Sequence, residues 1–151
     1  MTVAGGDVIY AADINRATNR RIGTNNRTSD SAASSGTTEL EINTVTGTLV
    51  SGRRYRIKWQ CLYTGTTLAD RFFFILREGS GTSGTQLAFT TVIIDASGTP
   101  TESVFLEVDY TASASGSQIF TASARRNSGT GTVTAKGSAT GPASLIIESA
   151  E

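Results

Sequence analysis

The side chains best equipped for chemistry in this sequence are its carboxylates. The chain has 151 residues, of which 13 are Asp or Glu, and it contains no histidine and one cysteine. A pair of carboxylates is sufficient for glycoside hydrolysis, and spacing along a sequence does not report distance in space, so a glycosidase pair stays open as an alternative. Glu39, Glu41 and Glu107 nevertheless alternate with apolar residues, which is typical of outward-facing strand positions. Because histidine, the commonest general base, is absent, we predict that the protein is not an enzyme.

The single cysteine is predicted to be a structural residue. Cys61 alternates with Tyr55, Ile57, Trp59 and Tyr63, which places it on the apolar face of a strand. A lone cysteine forms no disulfide within its chain, and a buried thiol behaves as a small hydrophobic group. We therefore expect no nucleophile at this position.

Metal and cofactor motifs are not evident. The aspartates are scattered without the spacing of a calcium-binding loop, and zinc would need a cluster of Cys or His residues. The GSGTSG stretch at 79–84 lacks the Lys-Ser/Thr of a phosphate-binding loop, and it is predicted to form a hairpin tip. We predict no cofactor and leave open a calcium ion held between distant loops.

The charge balance argues against two classes of partner. The 13 basic residues equal the 13 acidic ones, whereas a nucleic-acid-binding domain usually carries a basic excess. No stretch approaches the ~18 consecutive apolar residues of a membrane-spanning helix. The start of the chain lacks the basic and apolar regions of a signal peptide. We predict no direct contact with nucleic acid or membrane, and synthesis in the cytoplasm.

Residues 1–37 are predicted to form an N-terminal arm, with a short helix over residues 11–17. The run from 24 to 38 is almost entirely small and polar, and such a stretch does not repay the entropy of its own ordering. A solvated linker is one interpretation. We favour an arm that docks on a partner, because apolar side chains lie beside arginines that can form bidentate pairs with carboxylates. The predicted docking residues are Val8, Ile9, Tyr10, Asp13, Ile14, Arg16, Arg20, Arg21 and Arg27.

Residues 38–151 are predicted to form one antiparallel β-sandwich, jelly-roll-like, with about eight strands. Apolar residues recur with a period of two, and turn residues rich in Gly, Ser and Thr separate the runs every 8–12 residues or so. The clearest run is RYRIKWQCLY at 54–63, which is apolar on one face and polar on the other, as expected of a half-buried strand.

One predicted strand, RFFFILR at 71–77, is apolar on both faces. It is either a central core strand or a strand that packs against another subunit, as is common in trimers of jelly rolls. The candidate interface residues are Arg71, Phe73, Ile75 and Arg77.

Three stretches resemble known phage proteins. GDVIYAADIN resembles the G-x-V-x-x-A-x-x-x-N opening of many structural proteins of tailed phages. SGRRYRIKWQCLYTG, followed by FFILREGSGTSGTQL, is similar to a β-domain of small virion proteins from phages that infect actinobacteria. GTGTVTAKGSATGPASLIIE resembles the last hairpin and closing strand of that domain. The chain departs from those relatives where they continue into V-E-D-x-G-P, since here Glu148 is followed by Ser149.

The resemblance implies an accessory structural protein located in the virion, on the particle exterior: a minor tail protein, a head fibre or a capsid decoration protein. It favours a capsid decoration protein whose arm grips the major capsid protein and whose β-domain forms a homo-oligomer, with a trimer expected. The alternative is a minor tail or tail-tip protein that contacts other tail proteins and binds a host-surface glycan, for which Tyr63, Phe89 and Tyr110 are the candidate aromatics. A secreted carbohydrate-active enzyme is the third hypothesis.

Overall fold

The structure, a computed structural model, describes residues 20–95 and 102–150. These residues contain nine β-strands and no helix, which confirms the all-β prediction. The predicted helix over residues 11–17 lies outside the described residues. In chain order the strands are β1 (Arg21–Arg27), β2 (Leu40–Leu49), β3 (Arg54–Gly65), β4 (Arg71–Glu78), β5 (Thr85–Ile93), β6 (Glu102–Thr111), β7 (Gly116–Ser128), β8 (Val133–Lys136) and β9 (Ala143–Ser149).

The strands form two antiparallel sheets that pack face to face. Sheet A has the order β1-β9-β3-β6, with β8 also paired to β3, and sheet B has the order β2-β7-β4-β5. The first four strands alternate between the two sheets, and such crossings are typical of jelly-roll-like sandwiches. The predicted antiparallel sandwich is confirmed.

Strand β3 forms the centre of sheet A, as its alternating sequence requires. Tyr55, Ile57, Trp59, Cys61 and Tyr63 are all buried, while the residues between them face outward. A register slip by one residue would turn this whole apolar set towards water, so the alternation fixes how β3 pairs with β6 and β9.

The two sheets enclose one apolar core. Trp59 and Tyr63 of sheet A meet Phe74 of sheet B, with ring centroids 5.6 and 5.2 Å apart. Tyr110 and Phe120 form a T-shaped pair across the sandwich at 5.1 Å. Full burial of a large apolar side chain contributes about 1.5–3 kcal/mol, and aromatic pairing adds about 0.5–1.5 kcal/mol. The aromatic residues therefore join the sheets at several points.

A buried asparagine adds a polar link within this core. The Nδ2 of Asn43 donates to Oδ1 of Asn25 at 2.8 Å and to the carbonyl of Ala143 at 3.1 Å. Its Oδ1 accepts from Nε1 of Trp59 at 3.4 Å. A buried amide without hydrogen-bond partners is costly. The partners of Asn43 lie on three strands of sheet A, so these bonds connect β2 of sheet B to that sheet.

Strand β1 lies N-terminal of the predicted domain boundary between residues 37 and 38. It pairs with β9, and residues 20–37 continue along the sandwich, where Ser31 and Ser34 bond to the backbone of Ala135 and Val133. Strand β1 lies at the edge of sheet A and is largely exposed. Its sequence, RIGTNNR, therefore does not need to alternate between apolar and polar residues. The described part of the predicted arm is therefore part of the β-domain.

The loop of residues 137–142 arises because two strands share one side of β3. Strand β8 pairs with β3 at Leu62–Gly65, and β9 pairs with it at Tyr55–Gln60. The chain between β8 and β9 leaves the sheet next to this junction. Asp30 anchors the start of the loop by accepting from Nζ of Lys136 and, at 3.2 Å, from the backbone N–H of Gly137.

Candidate interaction surface

The outer face of sheet B carries an apolar patch on β4 and β5. Phe72, Phe74 and Leu76 of β4 point into the core, so the alternate residues of the same strand face outward. The outward residues of the two strands that define the β4–β5 patch are Phe73, Ile75, Phe89, Thr91 and Ile93. The sequence RFFFILR is apolar on both sides because its inner side forms core and its outer side forms this patch.

Aromatic and cationic contacts order the middle of the patch. Phe73 packs edge-to-face against Phe89, with centroids 5.6 Å apart and an interplanar angle of 87°. The guanidinium carbon of Arg125, on β7, lies 4.7 Å from the centroid of the Phe73 ring, which is a cation–π distance. Ile75 is only 1% exposed, whereas Phe89 is 54% exposed. The patch is therefore a preformed surface with Phe89 as its most prominent aromatic side chain.

At one end of the patch, Arg77 is engaged within its own chain. Its Nε and Nη2 donate to the two carboxylate oxygens of Glu39, both at 2.7 Å, and its Nη1 donates to the carbonyl of Gly84 at 3.0 Å. Glu39 also accepts from the hydroxyl of Ser123. Burial raises the pKa of Glu39, but the hydrogen bonds from Arg77 and Ser123 and the charge of Arg77 outweigh it, so the net pKa lies below its ordinary value. Arg77, a predicted interface residue, is thus part of an intramolecular ion pair.

The other end of the patch is more open. Arg71 begins β4 and is exposed, and it stands opposite Ile93 of β5, which is also exposed. Of the four predicted interface residues, Arg71, Phe73 and Ile75 therefore lie on or beside the patch. From the sequence, Phe89 is a candidate for glycan contact, and neither Phe89 nor Ile93 is assigned to this surface, because both belong to a run that is apolar at many positions.

The predicted docking residues of the arm are only partly described. Arg20 and Arg21 are exposed at the edge of sheet A. Arg27 instead donates to three backbone carbonyls of its own chain, those of Ser29 at 3.0 Å, Asp30 at 3.0 Å and Ile42 at 3.1 Å. The guanidinium of Arg27 is therefore hydrogen-bonded within its own chain. Val8, Ile9, Tyr10, Asp13, Ile14 and Arg16 lie outside the described residues.

Two of the three aromatic candidates for glycan contact belong to the core. Tyr63 and Tyr110 are buried, and each hydroxyl donates to a carboxylate, of Glu102 and of Glu78 respectively. Burial and the neighbouring carboxylate raise the pKa of both tyrosines. Phe89 is the exposed member of the set. An aromatic that sequence reasoning did not single out, Phe105, is exposed on the outer face of sheet A.

The outer face of sheet A is charged at one end. The Nζ of Lys58 lies 2.7 Å from Oε2 of Glu148 and 4.0 Å from Oε2 of Glu107. The Nε of Arg56 lies 3.3 Å from both Oε1 of Glu107 and Oδ1 of Asp109. Such partly exposed pairs contribute little stability each, about 0–1 kcal/mol. They leave the two signs of charge balanced along this part of the face.

The described residues form neither a metal-binding cluster nor a membrane-spanning helix. Within 20–95 and 102–150, no group of three or more His, Cys, Asp and Glu side chains is arranged to hold a metal ion. In these two ranges, no helix has the length and apolarity to cross a membrane. Cys61 is buried, and burial raises its pKa to about 12. Its thiol is therefore protonated at neutral pH.

Comparison with known proteins gives similarity in structure alone. No protein-family model and no curated protein matches the chain. The structure of Eiger TNF from S. frugiperda aligns with a TM-score of 0.54 at 8% identity, over 87% of this chain and 93% of Eiger. A carbohydrate-binding module of Cellvibrio mixtus lichenase 5A, solved with cellotriose, aligns with a TM-score of 0.45 at 12% identity, over 87% and 91% of the two chains. The VP2 protein of infectious bursal disease virus gives 0.46 at 8% identity, over 86% of this chain and 36% of VP2.

The scores of the module and of VP2 do not establish a shared fold. The Eiger alignment spans nearly all of both chains, although its 8% identity says nothing about function. The chain therefore has a β-sandwich fold of the kind found in the Eiger TNF structure.

Proposed function

We propose that the protein is an accessory structural component of a phage virion, a capsid decoration protein that assembles as a homo-oligomer on the head. The observation that supports this proposal is the β4–β5 patch, which gives the outer side of these strands apolar side chains in addition to those that build the core on the inner side. A contiguous apolar surface on a sheet is typical of an interface. The proposal is non-enzymatic, and it names no cofactor.

A second copy of the chain is the proposed occupant of the patch. The charged side chains at the patch are Arg71 at its open end, Arg125 over Phe73, and Arg77, which is paired with Glu39. Two such surfaces can meet without burying an unpaired carboxylate. Strand β5 is also the edge of sheet B, so a neighbouring subunit can approach it closely. A trimer is the expected oligomer.

The proposed contact with the major capsid protein lies in the arm before β1. Arg27 is hydrogen-bonded within its own chain, and Arg21–Arg27 form β1 of sheet A. The docking segment is therefore assigned to residues 1–19, with the exposed Arg20 and Arg21 beside it. In this proposal the arm supplies attachment and the patch supplies oligomerisation, so the two contributions can be separated by mutation.

Oligomerisation is tested by size-exclusion chromatography with light scattering. Phe89→Asp places a charge in the patch at a side chain that is 54% exposed, so the fold is retained. Phe105→Asp is a matched control, because Phe105 is 56% exposed on the opposite sheet. We expect an oligomer for the wild type and for Phe105→Asp, and a folded monomer for Phe89→Asp. A monomeric wild type, or an oligomer that survives Phe89→Asp, contradicts the patch as an interface.

Attachment is tested with particles that lack the protein. A chain without residues 2–19 should fold and oligomerise like the full chain, yet fail to sediment with the particles. If the shortened chain still sediments, the arm is not the attachment element. Cryo-electron microscopy of decorated particles then separates the head from the tail, since density over the whole shell supports decoration and density on the tail alone contradicts it.

A tail or tail-tip protein that binds a host glycan is the second candidate function. The observation that favours it is the exposed Phe105 on the outer face of sheet A, beside the exposed Leu62. Low copy number in the particle and localisation to the tail would support this candidate over decoration.

A further inference from the structure

The outer face of sheet A contains an open groove of about 500 Å³. Its floor is formed by two neighbouring strands, in which Gln60 of β3 stands opposite Phe105 of β6, and Leu62 stands opposite Ser103. Its wall is the loop between β8 and β9, through residues 140–142. The groove therefore exists because β8 and β9 pair with different stretches of β3 and the loop between them leaves the sheet.

The lining of the groove is both apolar and polar, and it is uncharged. Phe105 is 56% exposed and Leu62 is 42% exposed, so both offer apolar surface to a ligand. Gln60 supplies an amide, and Ser103 and Thr140 supply hydroxyl groups. The one ionisable residue at the groove, Cys61, points inward to the core with its pKa raised to about 12. A ligand here would meet hydrogen-bond donors and acceptors but no formal charge.

The wall of the groove is held in place by its own hydrogen bonds. The N–H of Gly141 donates to the hydroxyl of Ser138 at 2.9 Å, and the N–H of Ser138 donates to the carbonyl of Gly141 at 3.1 Å. Asp30 fixes the start of the same loop through Lys136 and Gly137. A preformed wall reduces the entropy lost when a ligand binds.

We infer that this groove binds a neutral saccharide. A pyranose ring has an apolar C–H face, which can pack on the exposed Phe105 ring, and a rim of hydroxyl groups, which can bond to an amide and to hydroxyls. A phosphate or carboxylate ligand would instead require a cation, and the cations that β3 and β8 place on this face are all paired with carboxylates, namely Arg54, Arg56, Lys58 and Lys136, which stands opposite Leu62. The chemistry of the lining thus favours a ligand that is polar, uncharged and partly apolar.

The other exposed phenylalanine has different surroundings. Phe89 borders a smaller hollow of about 170 Å³, where Phe73, Ile75 and Arg125 are its neighbours together with Gln86. Those side chains suit a protein surface. Because the two phenylalanines lie on opposite sheets, an oligomer formed through the β4–β5 patch leaves the groove open. The inference does not depend on whether the protein sits on the head or the tail of a particle.

Saturation-transfer NMR on the full-length protein tests the inference. The probes are maltotriose, triacetylchitotriose and β-1,4-galactotriose, each added in excess to the wild type. We expect saturation transfer to the ring protons of at least one probe. Phe105→Ala should weaken the affinity for that probe about tenfold, whereas Phe89→Ala should leave it unchanged. Phe105→Trp, which keeps an aromatic face, should retain binding.

Folding is checked separately, because the fluorescence of the buried Trp59 reports unfolding of the two alanine variants. Absence of transfer to all three probes overturns the inference, as does binding that survives Phe105→Ala in a folded protein. An equal loss in Phe89→Ala also overturns it, since the site would then not be this groove. None of these readouts involves particles or oligomer size, so a failure here is distinct from a failure of the proposed function.

Discussion

Glu39 and Arg77 are joined by two hydrogen bonds of 2.7 Å although they are 38 residues apart in the sequence. Glu39 immediately precedes β2, and Arg77 lies in β4. Strand β7 runs between these two strands, and its Ser123 hydroxyl donates to the same carboxylate. The ion pair therefore links three of the four strands of sheet B on its outer side.

Neutralising this carboxylate should destabilise the fold. Both side chains of the pair are largely buried, and removing one partner of a buried pair leaves an uncompensated charge. We expect Glu39→Gln to lower the free energy of unfolding by about 3 kcal/mol, measured by urea denaturation with Trp59 fluorescence. Glu41→Gln, two residues along at an exposed position, serves as the control and should have little effect. Equal midpoints for the two variants would contradict a stabilising role for the pair.

The same pair predicts how stability depends on pH. The folded-state pKa of Glu39 lies below its ordinary value of 4.5, so its contribution is fully present above about pH 4.5 and is lost as the pH falls through the folded-state pKa. The difference in unfolding free energy between wild type and Glu39→Gln should therefore shrink in acid. The pKa of Asp30 is lowered as well, by its hydrogen bond from Lys136. Protonation of Asp30 in acid should therefore lower the stability of both proteins alike. A difference between the two proteins that stays constant down to acidic pH would show that the carboxylate charge is not involved.

The thiol of Cys61 should be inert in the folded protein. Burial raises its pKa to about 12, so the reactive thiolate is scarce and access is blocked. We expect no reaction with Ellman's reagent in buffer and stoichiometric reaction in urea. A control with Cys61→Ala and Leu62→Cys moves the thiol by one residue to the outer face, where it should react promptly. Fast labelling of the native wild type would mean that the centre of sheet A opens readily.

Gly65 should not tolerate a larger side chain. A Cβ at this position would lie 2.3 Å from Cδ1 and 2.5 Å from Cγ1 of Ile94, which is itself buried. We expect Gly65→Ala to cost about 1–3 kcal/mol in a thermal or urea unfolding experiment. Gly36→Ala is the matched control, because the nearest atom to its Cβ would be 3.8 Å away. Adding Ile94→Val, which removes Cδ1, should recover part of the loss, and a failure to recover any would point away from this contact.

The strands with regular alternation could be predicted from the sequence. In β3 the five apolar residues from Tyr55 to Tyr63 are all buried, because a period of two matches a strand with one face on the core. Strand β4 is apolar on both faces in sequence, and in the structure Phe74 packs in the core while Phe73 lies on the outer side of the sheet. What periodicity could not reveal is whether the outer apolar residues meet a second copy, because a strand pattern reports faces and not partners.

The edge of sheet A and the groove could not be predicted in the same way. Strand β1 has a polar sequence, and its place in the sheet depends on β9, far along the chain. The composition around Arg27 suggested a docking arm, whereas its guanidinium bonds to the nearby carbonyls of Ser29 and Asp30 and to that of Ile42, which the fold brings close. Phe105 is one apolar residue on the polar face of β6, and its significance appears only when the 137–142 loop is placed beside it.

The position of β9 between β1 and β3 has a consequence for how the chain folds as it is made. All four strands of sheet B have left the ribosome once β7 has emerged, so that sheet can be assembled early. Sheet A cannot, because β1 and β3 both wait for β9 to fill the gap between them. Until then their facing edges present unpaired backbone groups, which other nascent chains can pair with. Closure of the sandwich therefore waits for β9, and slowing translation before β9 should increase aggregation.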